Sequence, residues 1–174
     1  RADKTFLNLL EDPQLKNQLK ENTLLFENAV TLAQSAITWL EKDNKYQDDL
    51  KTYRKSKYYY TLNNYIYYIT MGGSDSDFIK LISQVKVLDS YSLMQSQYWQ
   101  YRYYDTLALY YFRHAIINVT SQHGELFFYN IKKARKNITN ALRWVLNKDD
   151  HQSYLVLKDK IIGLEIASKQ HFNK

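Results

Sequence analysis

The sequence predicts an all-α fold, and three features of its composition indicate this. Four glycines and one proline in 174 residues are too few for the turns that a β-rich chain of this length needs. Fifteen of the 17 tyrosines fall in two stretches, Tyr46–Tyr68 and Tyr91–Tyr111, and neither stretch contains Gly or Pro. Hydrophobic residues make up 45% of the chain, which suffices for a continuous core. We therefore expect an up-down-up-down four-helix bundle with one or two extra short helices.

The domain organisation expected from the sequence is simple. Residues 1–12 form a lead-in, and Asp12-Pro13 marks the start of the first helix, because Asp caps a helix N-terminus and Pro fits its first turn. No repeat or low-complexity segment interrupts the rest of the chain. Residues 13–174 are therefore predicted to form a single helical bundle domain.

The first long helical segment requires a turn within it. Nothing between Gln14 and Met71 breaks a helix, yet one helix of that length would run roughly 87 Å, about twice the diameter of a compact domain of this size. Asp43-Asn44 is the weakest helical stretch. We therefore predict a turn at Glu41–Lys45.

The elements in the middle of the chain follow from caps and helix breakers. The segment Gly72–Asp77 is typical of a loop that ends one helix and caps the next, and a short helix near Asp77–Leu88 is expected to follow. Asp89-Ser90 is predicted to cap a long third helix that runs over Tyr91–Gln122 and is closed by Gly124.

The last third of the chain carries a regular amphipathic pattern. Apolar residues from Phe127 to Leu146 share one helical face, this helix is expected to end at Asn147–Asp150, and a final helix is expected over Gln152–Lys169. The opposite face is basic, which is typical of a solvated surface or of a docking face for an acidic protein or an anionic membrane. The basic residues are Lys132, Lys133, Arg135, Lys136 and Arg143.

A seven-residue spacing of apolar residues runs through the first half of the chain and begins at Leu25, Leu32 and Trp39. Such a spacing predicts one buried stripe. The residues expected to be most deeply buried in the whole chain are Leu25, Leu32, Trp39, Leu62, Ile66, Leu107, Ala108, Ile138 and Leu142.

The sequence contains none of the common motifs of enzymes. It lacks the phosphate-binding loop, the dinucleotide-binding turn and the nucleophile elbow, and it has no cysteine. Its four histidines have no spacing that places two ligands on one helical turn. We therefore expect no enzymatic activity, no catalytic residue, no metal site and no cofactor.

The tyrosine content favours a protein that docks on others. A tyrosine ring packs in a core while its hydroxyl group keeps a polar partner, so a tyrosine-rich helix can present a partly wet contact surface. Tyrosines interleaved with Lys55, Lys57 and Arg102 also suit single-stranded nucleic acid. However, the rings follow core spacing, and no nucleic-acid partner is expected. The contact residues chosen on their chemistry are Tyr101, Arg102, Lys132, Arg135 and Lys136.

Two stretches in the second half carry a resemblance to a known family. Trp99-Gln-Tyr101-Arg-Tyr-Tyr-Asp105 follows a Trp-x-Tyr-x-x-x-Asp pattern. Tyr111-Phe-Arg-His114 resembles the Tyr-Leu-Arg-Tyr stretch that comes after it if one residue slips between them, with Phe112 in place of Leu and His114 in place of the second Tyr. Lys136–Leu146 is similar to a Leu-Thr-x-x-Leu-x-x-x-Ile helix preceded by lysines, and Asp149-Asp150 then falls at a further Asp of the pattern. These are features of the PsbQ family of extrinsic photosystem II subunits, which the chain resembles over Trp99–Asp150.

The resemblance implies a function and a location. Members of the PsbQ family are non-enzymatic four-helix proteins. The resemblance therefore implies a subunit that is peripheral to the membrane in the thylakoid lumen of a plastid, and the chain is most similar to the red-algal PsbQ-prime type. The implied partners are the membrane-embedded core subunits of photosystem II and the other extrinsic subunits. The implied role is to stabilise the oxygen-evolving manganese-calcium site and its retention of Ca²⁺ and Cl⁻. A chain that begins at Arg1 fits either a piece excised from a longer chain or a mature protein whose targeting sequence has been removed, and the second is the interpretation favoured here.

Two other functions fit the same sequence. One is a generic helical adaptor or regulator domain in the cytoplasm. The other is a single-stranded nucleic-acid binder, whose affinity would fall steeply with salt. The longest apolar runs are far shorter than the roughly 20 residues that cross a bilayer, so we expect a soluble or peripheral protein in each case.

Overall fold

A computed structural model describes residues 13–42, 48–94 and 100–172 of the chain. Seven helices and no strand occur in these ranges, so the prediction of an all-α fold is confirmed. None of the seven helices is long and apolar enough to cross a membrane. The helices are α1 (Pro13–Lys42), α2 (Asp48–Gly72), α3 (Asp75–Lys80), α4 (Ile82–Met94), α5 (Gln100–Thr120), α6 (Gly124–Trp144) and α7 (Lys148–Phe172).

The contacts between residues divide the chain into two compact units. The first contains α1, α2, α3 and α4 as far as Tyr91, and the second contains α5, α6 and α7. Within each unit, consecutive long helices pack side by side in the manner of an up-and-down bundle: α1 with α2, α5 with α6, and α6 with α7. The predicted lead-in, residues 1–12, lies outside the described residues, and the single domain over residues 13–174 stays a prediction.

Glu41 and Lys42, the first two residues of the predicted turn, belong to α1, and α2 begins at Asp48. The rest of the predicted turn, residues 43–45, lies outside the described residues, so the break itself stays a prediction. The predicted loop Gly72–Asp77 is shorter than expected: Gly73 and Ser74 lie between the helices, Asp75–Asp77 belong to α3, and Ser74 caps α3. The Ser74 Oγ accepts a hydrogen bond from the Asp77 N–H at 3.2 Å and donates one to the Asp77 carboxylate at 2.7 Å.

Two predicted boundaries in the middle of the chain are wrong. The expected short helix is divided at Leu81 into α3 and α4. Tyr91 does not begin a new helix, because α4 continues to Met94. The Ser90 hydroxyl group donates to the Lys86 carbonyl at 2.9 Å, so Ser90 follows the helix instead of capping the next one.

The final helix starts earlier than predicted. The Asn147 side-chain oxygen accepts hydrogen bonds from the backbone N–H groups of Asp149 at 2.8 Å and Asp150 at 3.4 Å. Asn147 therefore caps α7, and the residues predicted to form a connection become the first turn of a 25-residue helix.

The core of the first unit forms on one side of α2 and on the short helices. Leu62 and Ile66 are fully buried, as predicted. Phe78 and Leu88 are fully buried as well, so α3 and α4 each contribute a large side chain. The rings of α2 Tyr59 and α4 Tyr91 stack with their centroids 3.5 Å apart.

The predicted burial of α1 is wrong. Leu25, Leu32 and Trp39 are exposed by 66%, 71% and 59% of their surfaces. Another side of α1 faces the core, where Val30 is buried and Ile37 is half-buried. α1 carries two apolar stripes, and a seven-residue spacing alone does not say which one meets a neighbouring helix.

The core of the second unit allows close helix packing. Small residues are fully buried on both helices of the first pair, at Ala108 and Ala115 of α5 and at Ala134 and Ala141 of α6. A side chain this small lets two backbones approach each other. The predicted burial of Leu107, Ala108 and Ile138 is confirmed, and Leu142 is half-buried.

A three-residue turn joins α5 to α6. The His123 N–H donates to the Asn118 carbonyl at 3.0 Å, and the Gln122 N–H donates to the Val119 carbonyl at 3.1 Å. This pair of bonds is a Schellman motif, which places one residue in the left-handed region. That residue is Gln122, with φ of 58°, instead of the usual glycine. The motif reverses the chain, so α5 and α6 pack as an antiparallel hairpin.

Candidate docking surface

α6 separates apolar and basic side chains onto opposite sides. Its buried side holds fully or almost fully buried residues: Phe127, Ile131, Ala134, Ile138 and Ala141. The opposite side carries the α6 stripe, which we define as Tyr129, Lys132, Lys136 and Arg143. All four residues of the α6 stripe are exposed, and their spacing of three, four and seven places them in one row. The one acid of α6, Glu125, lies on the same side one turn before Tyr129.

A lysine lies over the tyrosine of the α6 stripe. The Lys133 ammonium is 5.9 Å from the ring centroid of Tyr129 and 5.7 Å from that of Tyr111. Tyr111 is buried, whereas Tyr129 is 54% exposed. Lys133 therefore links the edge of the core to the outer surface through cation–π contacts.

Arg135 has a structural partner on another helix. Its guanidinium donates to the Glu165 carboxylate of α7 at 2.7 Å, and the Lys169 ammonium lies 3.1 Å from the same carboxylate. Partial burial alone would raise the pKa of Glu165, but the hydrogen bonds from Lys169 and Arg135 outweigh it and lower this pKa below its ordinary value. Of the three predicted α6 contacts, Lys132 and Lys136 thus belong to the outer surface, while Arg135 joins α6 to α7.

The structure places the other two predicted contact residues differently. Tyr101 is only 6% exposed, and its ring centroid lies 6.4 Å from that of Tyr154 on α7. Its ring is part of the core, so the prediction of Tyr101 as a contact residue is wrong. Arg102 is exposed, but its Nε donates to the Tyr101 hydroxyl at 3.2 Å and its guanidinium lies 5.7 Å from the Tyr101 ring. The side chains of Tyr101 and Arg102 therefore contact each other at the start of α5.

A half-buried acid lies close to this pair and is not indicated by the sequence pattern. Asp105 is partly covered by the protein, and burial of its carboxyl group, together with the nearby charge of Asp150, raises its pKa from 3.8 to about 7. Burial, followed by the charges of Asp105 and Asp150, raises the pKa of Tyr154 as well. No local pattern indicates that Asp150 approaches α5.

The described residues hold no group of three or more His, Asp or Glu side chains arranged to bind a metal ion. The acids and aromatic residues at the start of α5 and α7 interact with one another, whereas the residues of the α6 stripe are exposed. Comparison with protein-family models, with curated proteins and with solved structures gives no match for this chain.

Proposed function

We propose that this chain is a non-catalytic docking protein that holds an acidic segment of a partner protein on α6. The observation that carries the proposal is the α6 stripe. Three cations and one tyrosine share a row directly opposite the buried side of the same helix, so the core fixes their orientation. Rigid helices hold contact residues more accurately than loops do.

The surroundings of the α6 stripe suit a protein interface. Leu126 and Trp144 of α6 are exposed by 54% and 46%, and aromatic residues and Arg are enriched at such interfaces. Exposed ion pairs contribute only about 0.2 to 1 kcal/mol each. The cations thus supply orientation and selectivity for an acidic surface, and the exposed apolar groups beside them supply contact area.

An anionic membrane fits the same charges less well. A helix that binds a membrane surface inserts its apolar side between the lipids, but the apolar side of α6 is buried in the core. The cations alone would give about 1 kcal/mol each at an anionic surface. A protein partner uses both the cations and the exposed aromatic groups.

The site test is a zero-length crosslinking experiment with a synthetic glutamate-rich peptide. We expect crosslinks from peptide carboxylates to Lys132 and Lys136 and few to Lys86, an exposed lysine of α4. Replacement of both residues, Lys132→Gln with Lys136→Gln, should weaken peptide binding to α6 about fivefold or more. Crosslinking of Lys86 as efficient as that of Lys132 and Lys136 would contradict the proposal.

The specific form of this proposal is an extrinsic subunit of photosystem II, peripheral on the membrane in the thylakoid lumen. It is supported by the resemblance over Trp99–Asp150, a range that includes the whole of α6, with one of its similar stretches at Lys136–Leu146. In this form the partners are the core subunits and the other extrinsic subunits, and the role is to stabilise the oxygen-evolving site and its Ca²⁺ and Cl⁻. Without this resemblance, the docking proposal describes a generic helical adaptor.

A rebinding assay on algal photosystem II particles separates the two forms. Particles depleted of extrinsic subunits are mixed with the protein, and oxygen evolution is followed at low Ca²⁺ and Cl⁻. Stoichiometric rebinding that restores activity, and that Lys132→Gln with Lys136→Gln weakens, would support the photosystem form. Failure to rebind would remove that form and leave the adaptor form to the crosslinking test.

A further inference from the structure

α2 also presents aromatic and basic side chains on the side opposite its core. Leu62, Ile66 and Ile69 are buried on one side. On the other side Tyr53 and Tyr60 are 54% and 48% exposed, and Lys57 lies between them. Tyr53 and Tyr60 are seven residues apart on this side, so their exposed ring surfaces lie in one row that is open to a partner.

The same arrangement of a tyrosine and a lysine occurs on α2 and α6. The Lys57 ammonium lies 5.4 Å from the ring centroid of Tyr53, four residues before it. On α6, the Lys133 ammonium lies 5.9 Å from the ring centroid of Tyr129, also four residues before it. Residues four apart are neighbours on a helix, and in both cases the tyrosine is more than half exposed. The two pairs lie in different units of the chain.

Basic residues predominate around the α2 pair. Residues 50–60 contain four basic residues and no Asp or Glu, and the two acids of α2, Asp48 and Asp49, lie in its first turn. Three of the four, Arg54, Lys55 and Lys57, are exposed. We define the α2 face as Tyr53, Arg54, Lys57 and Tyr60. These residues lie within two turns of one helix, so a single extended or helical segment of a partner can reach all of them.

The ligand class follows from the position of Lys57. Single-stranded nucleic acid binds tyrosine by stacking a base on an open ring face, but the Lys57 ammonium lies over the ring of Tyr53. Tyr129 is covered by Lys133 in the same way. Both surfaces contain exposed basic residues and exposed tyrosines, whose ammonium and hydroxyl groups donate hydrogen bonds to carboxylates. The two surfaces therefore favour an acidic polypeptide over a nucleic acid.

We propose that the α2 face is a second docking site for an acidic polypeptide segment, so that the chain has one such site in each unit and joins two acidic segments. This inference rests on the proposed function of α6, whose chemistry it shares. It assigns a use to the exposed tyrosines of the first unit and makes the protein a bivalent linker. Two weak sites on one chain give a higher overall affinity for a partner that carries both segments.

The test is a calorimetric titration of the full chain with the synthetic glutamate-rich peptide at low ionic strength. We expect two peptides to bind per chain. The double variant Arg54→Gln with Lys57→Gln should bind one peptide, and so should Lys132→Gln with Lys136→Gln. The matched control is Lys86→Gln, which removes an exposed charge outside both sites and should still bind two. Circular dichroism should show the same helix content for all variants.

The outcomes separate the two proposals. Binding of one peptide by the unaltered chain, lost only when Lys132 and Lys136 are replaced, would overturn the α2 site and leave the α6 site in place. If the unaltered chain binds one peptide and only the variant with Arg54 and Lys57 replaced fails to bind it, the α6 proposal is overturned instead. Absence of peptide binding would overturn both. Tighter binding of a single-stranded oligonucleotide than of the peptide would overturn the carboxylate assignment.

Discussion

Arg135 of α6 donates a 2.7 Å hydrogen bond to Glu165 of α7, and this pair joins two helices across 30 residues of sequence. The Glu165 side chain is only 14% exposed, whereas that of Arg135 is 52% exposed. The pair therefore lies at the edge of the core, where a charge-assisted hydrogen bond is stronger than at a fully exposed site. It also explains why one cation of α6 serves the fold while its neighbours remain on the outer surface.

We predict that Arg135→Gln lowers the free energy of unfolding by about 1 kcal/mol at pH 7. The folded-state pKa of Glu165 is lowered below its ordinary value of 4.5, so the stabilisation is fully present above that value and is lost as the pH falls through the folded-state pKa. Urea unfolding at several pH values should therefore show the two proteins converge in acid. Lys132→Gln, on the same helix, should leave stability unchanged, and equal losses in the two variants would contradict the structural role of Arg135.

The contribution of Asp105 to the free energy of unfolding should change with pH in the opposite direction to that of Glu165. The folded-state pKa of Asp105 is about 7 and lies above the ordinary value of 3.8, so the folded protein keeps a proton that the unfolded chain releases. Its contribution to stability is therefore favourable below about pH 4 and is lost as the pH rises to about 7. The titratable groups that interact with Asp105 are Asp150 and Tyr154, both on α7. Tyr101 and Arg102, on the same helix as Asp105, act on Tyr154.

We predict that Asp105→Asn removes this pH dependence. The variant should match the unaltered protein below about pH 4 and exceed it increasingly as the pH rises, by about 1 to 3 kcal/mol in free energy of unfolding at pH 8, because a tenfold change in proton affinity corresponds to about 1.4 kcal/mol. Asp159→Asn, which alters an exposed acid of α7, is the control and should follow the unaltered protein. A constant difference between Asp105→Asn and the unaltered protein across this range would contradict the prediction.

The sequence predicts α6 well for a physical reason. Its apolar residues recur with the helical period, and the same period places Lys132 and Lys136 on the opposite side. The expected burial of Ile138 and exposure of these two lysines are both observed. Local periodicity decides both results, so no knowledge of the neighbouring helices is needed.

Other features depend on contacts between helices and cannot be read from local pattern. The burial of Tyr101 depends on the approach of Tyr154 across 53 positions of sequence, and the environment of Asp105 depends on Asp150. Composition predicts that some tyrosines are inside and some outside, but the partner helix decides which ones. The same reasoning explains the error for Leu32, since α1 offers two apolar stripes.

The burial of the first unit gives a direct test. We predict that Leu62→Ala, at a fully buried position of α2, lowers the free energy of unfolding by about 2 to 5 kcal/mol. Leu32→Ala, at a position that is 71% exposed, should change it by less than about 0.5 kcal/mol. Thermal or urea unfolding of the two variants measures the difference. A loss in Leu32→Ala as large as that in Leu62→Ala would mean that this stripe of α1 is covered in the folded protein.

The turn between α5 and α6 provides the last prediction. Gln122 adopts φ of 58° in the Schellman motif, a conformation that costs a residue with a Cβ atom roughly 1 to 2 kcal/mol. Glycine has no such cost, but it loses about 0.5 to 1 kcal/mol more through the entropy of the unfolded chain. Gln122→Gly should therefore raise the free energy of unfolding by about 0.5 kcal/mol. Gln122→Ala keeps the Cβ atom and should show no gain, so equal stabilisation by Gly and Ala would exclude relief of backbone strain as the cause.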